Sequence, residues 1–340
     1  MSDADSADIQ PLGKRVKRLV PGLSIAFIVA LAANFLGEHY GAPTMLFALL
    51  LGLALNFLAD DAKIRSGVDF AASVILKTGV ALLGLRIAFG DIVGMGWQPL
   101  AMVIAATGTT IGVGILLSRF IGRDKQFGIL TGGAVAICGA SAAMALSAIL
   151  PSSDTKERDT AFTVVGVTTL STIAMVAYPL ITAYLNLDDW SAGLFIGATI
   201  HDVAQVVGAG FSISDEAGQI ATITKLVRVA MLVPVVLLLA LAFRAPVSVD
   251  GTAAKRPPIL PLFLIMFVIF VGVNSLDVLH ESIISGMSDL SRFCLTTAIA
   301  AVGIKTKPGD IMQVGWRPAL LMVMETIWIA GLVLMMLMML

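Results

Sequence analysis

Residues 131–151 read TGGAVAICGASAAMALSAILP, and no charge interrupts them. Gly132, Gly133 and Gly139 crowd the stretch ahead of Ser141, after which the run is smoothly helical. A helix needs about 20 apolar residues to cross the hydrocarbon core, so this stretch belongs in a membrane. The glycines followed by a small hydroxyl predict a break, with a half-helix starting near Gly139. N–H groups freed at such a start carry partial positive charge and suit an anion.

The rest of the chain agrees with a membrane setting. Its 340 residues are 58% hydrophobic and 13% charged, with a mean hydropathy of +0.95. A soluble domain is about a quarter charged, and so few polar groups cannot cover a surface in water. A soluble enzyme, a disordered protein and a disulfide-stapled secreted domain are therefore excluded. The net charge of −1 gives no general attraction to nucleic acid. Cys138 and Cys294 lie in apolar runs, where their spacing makes neither a disulfide framework nor a metal site. No cofactor is expected.

Eleven candidate spans follow, near 20–36, 43–58, 67–88, 95–118, 127–150, 160–185, 190–211, 218–243, 258–274, 285–304 and 313–339. They form one transmembrane domain over 20–340, after a polar N-terminus at 1–19. Lys14, Arg15, Lys17 and Arg18 precede the first run as they would in a signal peptide, with Ala30–Ala33 as a cleavage site; ten further spans favour a retained helix. With the N-terminus inside and the spans alternating, fifteen basic residues fall on the cytoplasmic side. Only Arg86, Lys156 and Arg158 fall outside, with the C-terminus. The Pro246–Pro258 connection reads as a loop.

Residues 77–99 (KTGVALLGLRIAFGDIVGMGWQP) align without gaps to 296–318 (TTAIAAVGIKTKPGDIMQVGWRP), with nine of 23 positions identical. Gly-Asp-Ile followed by Gly-Trp-x-Pro is costly to reach by chance. The copies stand an odd number of spans apart, as an inverted-topology repeat requires, and such repeats hold their substrate near the midplane.

The seventh span, FIGATIHDVAQVVGAG (195–210), places His201, Asp202 and Gln205 between Gly197 and Gly208. Polar groups at that depth are expensive and mark a site. Lys77, Lys225, Arg228 and Arg292 add positive charge within spans, against Asp202 and Glu325. Lys225 and Arg228 share one helix face. A basic excess in a membrane points to an anionic substrate. The expected substrate contacts are Gly139, Ala140, Ser141, His201, Gln205, Lys225 and Arg228. His201, Asp202 and Glu325 are the expected coupling residues.

The runs GGAVAICGASA, GATIHDVAQVVGAG, ITKLVRVAML, FVIFVGVNS and RFCLTTAIAAVGIKT resemble the YeiH family of proposed sulfate exporters, over nearly the whole chain from about residue 20. The resemblance implies a multi-pass transporter of the bacterial inner membrane. It also implies a fold related to sodium–proton antiporters and bile-acid symporters, with two interrupted helices crossing near the midplane. The expected partners are a small anion, a coupling proton or sodium ion, the lipid bilayer and a second copy of the chain. The sequence has no Walker-type phosphate loop, which argues against ATP hydrolysis. Two other readings compete. A cation–proton antiporter would want paired mid-membrane carboxylates, whereas Asp60-Asp61 and Asp188-Asp189 are loop pairs. An intramembrane serine protease would use Ser141 and His201 as a dyad.

Overall fold

Helix is the only regular structure among the described residues, as hydrocarbon demands of a chain that must satisfy its own backbone. The computed structural model describes residues 12–40, 44–151, 153, 155–243, 262–277, 279–306 and 316–339. The 246–258 connection, Arg244, Lys255, Arg256 and Lys307, and Gly309, Asp310, Ile311 and Gly315 of the repeat lie outside them, as do the side chains of Lys14, Arg15, Asp91 and Ile92.

The helices are α1 Leu12–Tyr40, α2 Thr44–Ala54, α3 Ala62–Phe70, α4 Leu76–Leu83, α5 Phe89–Gly94, α6 Gln98–Phe120, α7 Lys125–Ala136, α8 Ala140–Ile149, α9 Lys156–Tyr184, α10 Asp189–Thr199, α11 Val203–Phe211, α12 Asp215–Ala230, α13 Leu232–Phe243, α14 Leu262–Ser275, α15 Glu281–Lys305 and α16 Trp316–Leu337. Seven stretches are long and apolar enough to cross a membrane: α1, α3 running on through α4, α6, α9, α12 with α13, α15 and α16. With the shorter apolar helices α2, α8 and α14, they make an all-α polytopic membrane protein.

The stretch 20–340, read from sequence as one domain, gathers into two compact units. The first holds residues 1–83 and 280–307. There Gly22 meets Gly67, and Gly52 meets Gly303, so closely that a Cβ at any of them would enter the facing backbone. Such small-residue contacts let membrane helices pack without a hydrophobic driving force. Lys305 pairs with Asp69 at 2.6 Å in the same unit.

The second unit holds residues 84–279 and 308–340, including the motif-bearing segments. Asp124 starts α7 by accepting the N–H of Phe127. Gly128 then lies against Gly114, and Gly132 against Thr110, so α7 runs antiparallel to α6. After Gly139 the chain does not continue across. It turns back as α8, packing Leu146 on Gly133 and hydrogen-bonding Ser147 to Thr160 of α9. Arg123, just before α7, pairs with Asp159 in the first turn of α9, and Phe127 faces Phe162 with ring centroids 6.2 Å apart. Both ends of α7–α8 therefore sit at one face.

The segment 190–211 does the same from the other side. Asp188 caps α10 through Ser191 N–H. Gly193 packs on Ala217 and Ile220, and Gly197 on Ala221 and Thr224, so α10 and α12 run parallel. Gly210, at the end of α11, meets Ala217, Gly218 and Ala221 near the start of α12. So α11 has returned to the face where α10 entered. Between the hairpins runs α9, 29 residues and about 43 Å long, so the hairpins enter from opposite faces. The two segments read as interrupted spans are thus re-entrant hairpins. Their halves, of 12 and 10 residues for α7 and α8 and 11 and 9 for α10 and α11, each reach roughly half of a 30 Å core. Hydropathy counts the same apolar residues whether the second half goes on or comes back.

The repeated Trp-x-Pro marks the start of both α6 and α16. Trp328 Nε1 donates to Thr109 Oγ1 at 3.4 Å, and Glu325 lies against Gly114, so the two helices pack antiparallel.

Candidate functional site

The two hairpin tips meet at the middle of α9. Gly139 turns the first with φ +60° and ψ −124°, a conformation that a side chain would strain. A Cβ there would stand 3.5 Å from His201 O and 3.7 Å from Val167. At the second tip Asp202 N–H donates to Ser171 Oγ at 3.1 Å. Val167 and Ser171 are near the midpoint of α9, which sets both tips at mid-depth.

A helix that ends inside a membrane leaves carbonyls without partners, at several kcal/mol for each that stays bare. Two side chains of α12 meet that need. Lys225 Nζ donates to Ile137 O at 2.7 Å, Ile200 O at 2.8 Å and His201 O at 2.6 Å. One turn on, Arg228 Nε donates to Ala136 O. Its two terminal nitrogens reach Val135 O, Ala136 O, Gly197 O and Ile200 O. All three ammonium protons and all five guanidinium protons are thereby committed. Both side chains are fully buried. They bind the C-terminal ends of α7 and α10 to one another.

The N-terminal ends at the same tips differ. Asp202 caps α11, accepting the N–H of Val203 at 2.7 Å. Gly139, the N-cap of α8, has no side chain with which to cap it. There Ala140 is partly buried and Ser141 is exposed. At the second tip His201 is fully buried and Gln205 nearly so. Gln205 Nε2 donates weakly to Thr172 Oγ1 at 3.5 Å, and its Oε1 makes no hydrogen bond among the described residues.

Thr326 of α16 donates its hydroxyl proton to Met322 O at 2.7 Å. His201 Nε2, 3.0 Å from that same oxygen, must therefore be the donor in their contact. The neighbouring Glu325 is completely buried. Its Oε1 lies 2.8 Å from Thr131 Oγ1 and its Oε2 has no partner among the described residues. Thr131 Oγ1 also lies 3.1 Å from Phe127 O, and its one proton cannot serve both oxygens.

Gly139, Ala140, Ser141, His201, Asp202, Gln205, Lys225 and Arg228 thus converge on the tips, and Glu325 stands one residue from the threonine that holds His201. Lys77 and Arg292 belong to the first unit and are exposed. Among the described residues no hydrogen bond joins Ser141 to His201, whose Nε2 is engaged by Thr326. Thr131, Ser171, Thr172 and Thr326 escape a sequence reading. A threonine or serine in an apolar helix usually bonds its own preceding turn, and nothing in the letters tells one that also reaches across.

The sequence model of a family described as Conserved hypothetical protein 698 matches residues 21–322. A UPF0324 membrane protein of Chlorobaculum tepidum is 50% identical over 96% of this chain and 91% of its own. The UPF0324 membrane protein TauZ of Paracoccus pantotrophus is 48% identical over 93% of this chain and 94% of its own. A UPF0324 membrane protein of Pseudomonas aeruginosa is 34% identical over 94% of each chain. The chain belongs to this UPF0324 family of membrane proteins, the YeiH type that its motifs resemble.

Proposed function

We propose that this UPF0324 membrane protein is a secondary transporter of a small oxyanion of the sulfate or sulfonate class, working in export and coupled to protons or sodium. The observation that carries the reading is the N-terminus of α8, which starts on a glycine that cannot cap it and lies at mid-depth beside two buried cations. Lys225 and Arg228 contribute two positive charges. The C-termini of α7 and α10 offset roughly half a charge each, the N-termini of α8 and α11 add as much back, and Asp202 subtracts one. About one positive charge remains, which favours a single anion. Since Lys225 and Arg228 have no donor to spare, they act on it through space. Direct contacts fall to the N–H groups of α8, the Ser141 hydroxyl and Gln205.

An inverted repeat underlies the transport reading. The repeat offset pairs Thr109 with Trp328, and these two touch each other. A two-fold axis in the membrane plane would pass through such a self-paired contact. Re-entry also sharpens the orientation. With both hairpins returning to their own faces, nine helical stretches among the described residues are left to cross, and Lys156 and Arg158 join the cytoplasmic group. Seventeen basic residues then face Arg86 alone, with the N-terminus inside and the C-terminus outside.

His201 and Glu325 are the groups to carry a proton. A proton taken up there and an oxyanion at the tips attract each other, so affinity rises as pH falls from about 8 to 5. His201→Gln flattens that dependence if His201 is the carrier and leaves it intact if Glu325 is. The reading itself is tested by thermal unfolding of the purified protein with sulfate, an alkylsulfonate, chloride and alkali cations at matched ionic strength. Sulfate or sulfonate should raise the midpoint where chloride does not. Indifference to every oxyanion would overturn the assignment, and would favour a cation–proton antiporter if alkali cations stabilised instead.

A further inference from the structure

Lys225 sits where the chain offers a cage for a metal cation. Three carbonyl oxygens from two separate tips, those of Ile137, Ile200 and His201, converge on one point at 2.6–2.8 Å. Carbonyls at the unwound ends of half-helices are how transporters of this construction hold a coupling alkali ion. Here an ammonium fills that position, fully buried and fixed by the same helix that carries Arg228. Two of its three oxygens, Ile137 O and His201 O, accept from no other described side chain, whereas Arg228 shares only Ile200 O. Taking the ammonium away would leave those two oxygens bare and Arg228 unable to reach them.

We propose that the Lys225 ammonium is a resident cation, covalently supplied by α12 in the place of a coordinated alkali ion, so that the two tips are held together without sodium. The inference rests on the tips being the transport site, and it narrows the coupling ion to the proton. It also gives Lys225 a positioning role: the ammonium holds the turn that leads into α8, and so the aim of the N–H groups of Ala140 and Ser141.

The test uses the full-length purified protein without added oxyanion, so its result does not depend on which anion binds. Thermal midpoints are compared in sodium, potassium and choline chloride at equal ionic strength, for wild type and Lys225→Ala, with methylammonium chloride as a further condition. Wild type should unfold at the same midpoint in all four salts. Lys225→Ala should unfold lower in choline and recover by about 2 °C or more in sodium or methylammonium, either of which can re-enter the vacated cage. A midpoint in wild type that climbs with sodium but not choline would overturn the proposal, and that arm stands even if the variant does not fold. A folded Lys225→Ala that ignores every cation would overturn it equally. Failure of sulfate or sulfonate to bind wild type would remove the proposed substrate and leave these salt comparisons unaffected.

Discussion

Hairpin α7–α8 and hairpin α10–α11 share a backbone device and part at one residue. In each, a half-helix climbs to mid-depth, delivers its last carbonyls to Lys225 or Arg228, and turns back. The first turns on Gly139, which has no side chain to cap α8. The second places Asp202 at the equivalent point, and its own carboxylate takes the N–H of Val203. Under the proposed function, the first tip is the one that takes the anion. The staple is common to both tips and the cap residue differs, so two hairpins of one fold offer different polar groups at the same depth.

Arg228→Met should erase the comparison by damaging both hairpins at once. It strands carbonyls of α7 and α10 together and should lower stability by about 3 kcal/mol or more, measured as a fall in the unfolding midpoint in detergent. A loss under about 1 kcal/mol would mean that other groups satisfy those carbonyls. Gly139→Ala strains the open tip, where φ is +60°, while its Cβ meets His201 O only at an ordinary contact distance of 3.5 Å. A strain of about 1–3 kcal/mol should weaken oxyanion affinity about tenfold or more, read by titration calorimetry, while α10–α11 keeps its amide protection in hydrogen exchange.

Asp202→Asn makes the two tips more alike. Asparagine keeps the cap but removes the charge, so oxyanion affinity should rise roughly two- to tenfold with little change in stability. A fall instead would place the carboxylate among the substrate's partners. Ser141→Ala should cost the open tip about 1 kcal/mol of binding, or about fivefold in affinity.

The smallest effect lies at the mouth of the second hairpin. Asp188, capping α10 from outside the membrane, has its carboxyl held below the usual range by the Ser191 hydroxyl and the Ser191 N–H. A lowered folded value means that its contribution is present above about pH 4 and is lost as pH falls through that lowered value. Asp188→Ala should therefore cost about 1 kcal/mol or less near pH 7, and the gap to wild type should close toward pH 3.

Much of this was legible in the letters because membrane energetics write large. Apolar runs, the glycine cluster before Ser141, and the expense of His201, Asp202 and Glu325 at depth all pointed to the tips that now meet. The direction of the chain after each break was not legible, since α8 and α11 are equally apolar whichever way they run. Nor was the work of Lys225 and Arg228. Their partners are backbone carbonyls, which every residue possesses, so nothing in the letters tells that two cations on one face also fasten the chain. The pairing of Arg123 with Asp159 sets Lys156 and Arg158 at the same face as Arg123, a placement that the alternation of eleven spans does not give.

The stapled tips also constrain how the protein can be made. At helix centre a lysine or arginine opposes membrane insertion by about 2.5–3.5 kcal/mol, and α12 carries one of each. Neither α8, of 10 residues, nor α11, of 9, is long enough to lodge as a span by itself. The helix that is too charged and the hairpins that are too short are each other's remedy. Chain order then sets an expectation for biogenesis: α7–α8 and α10–α11 are made before α12, so neither hairpin has its Lys225 and Arg228 contacts until α12 follows. A chain arrested before Lys225 emerges should leave both hairpin segments open to aqueous thiol labelling that the finished protein refuses.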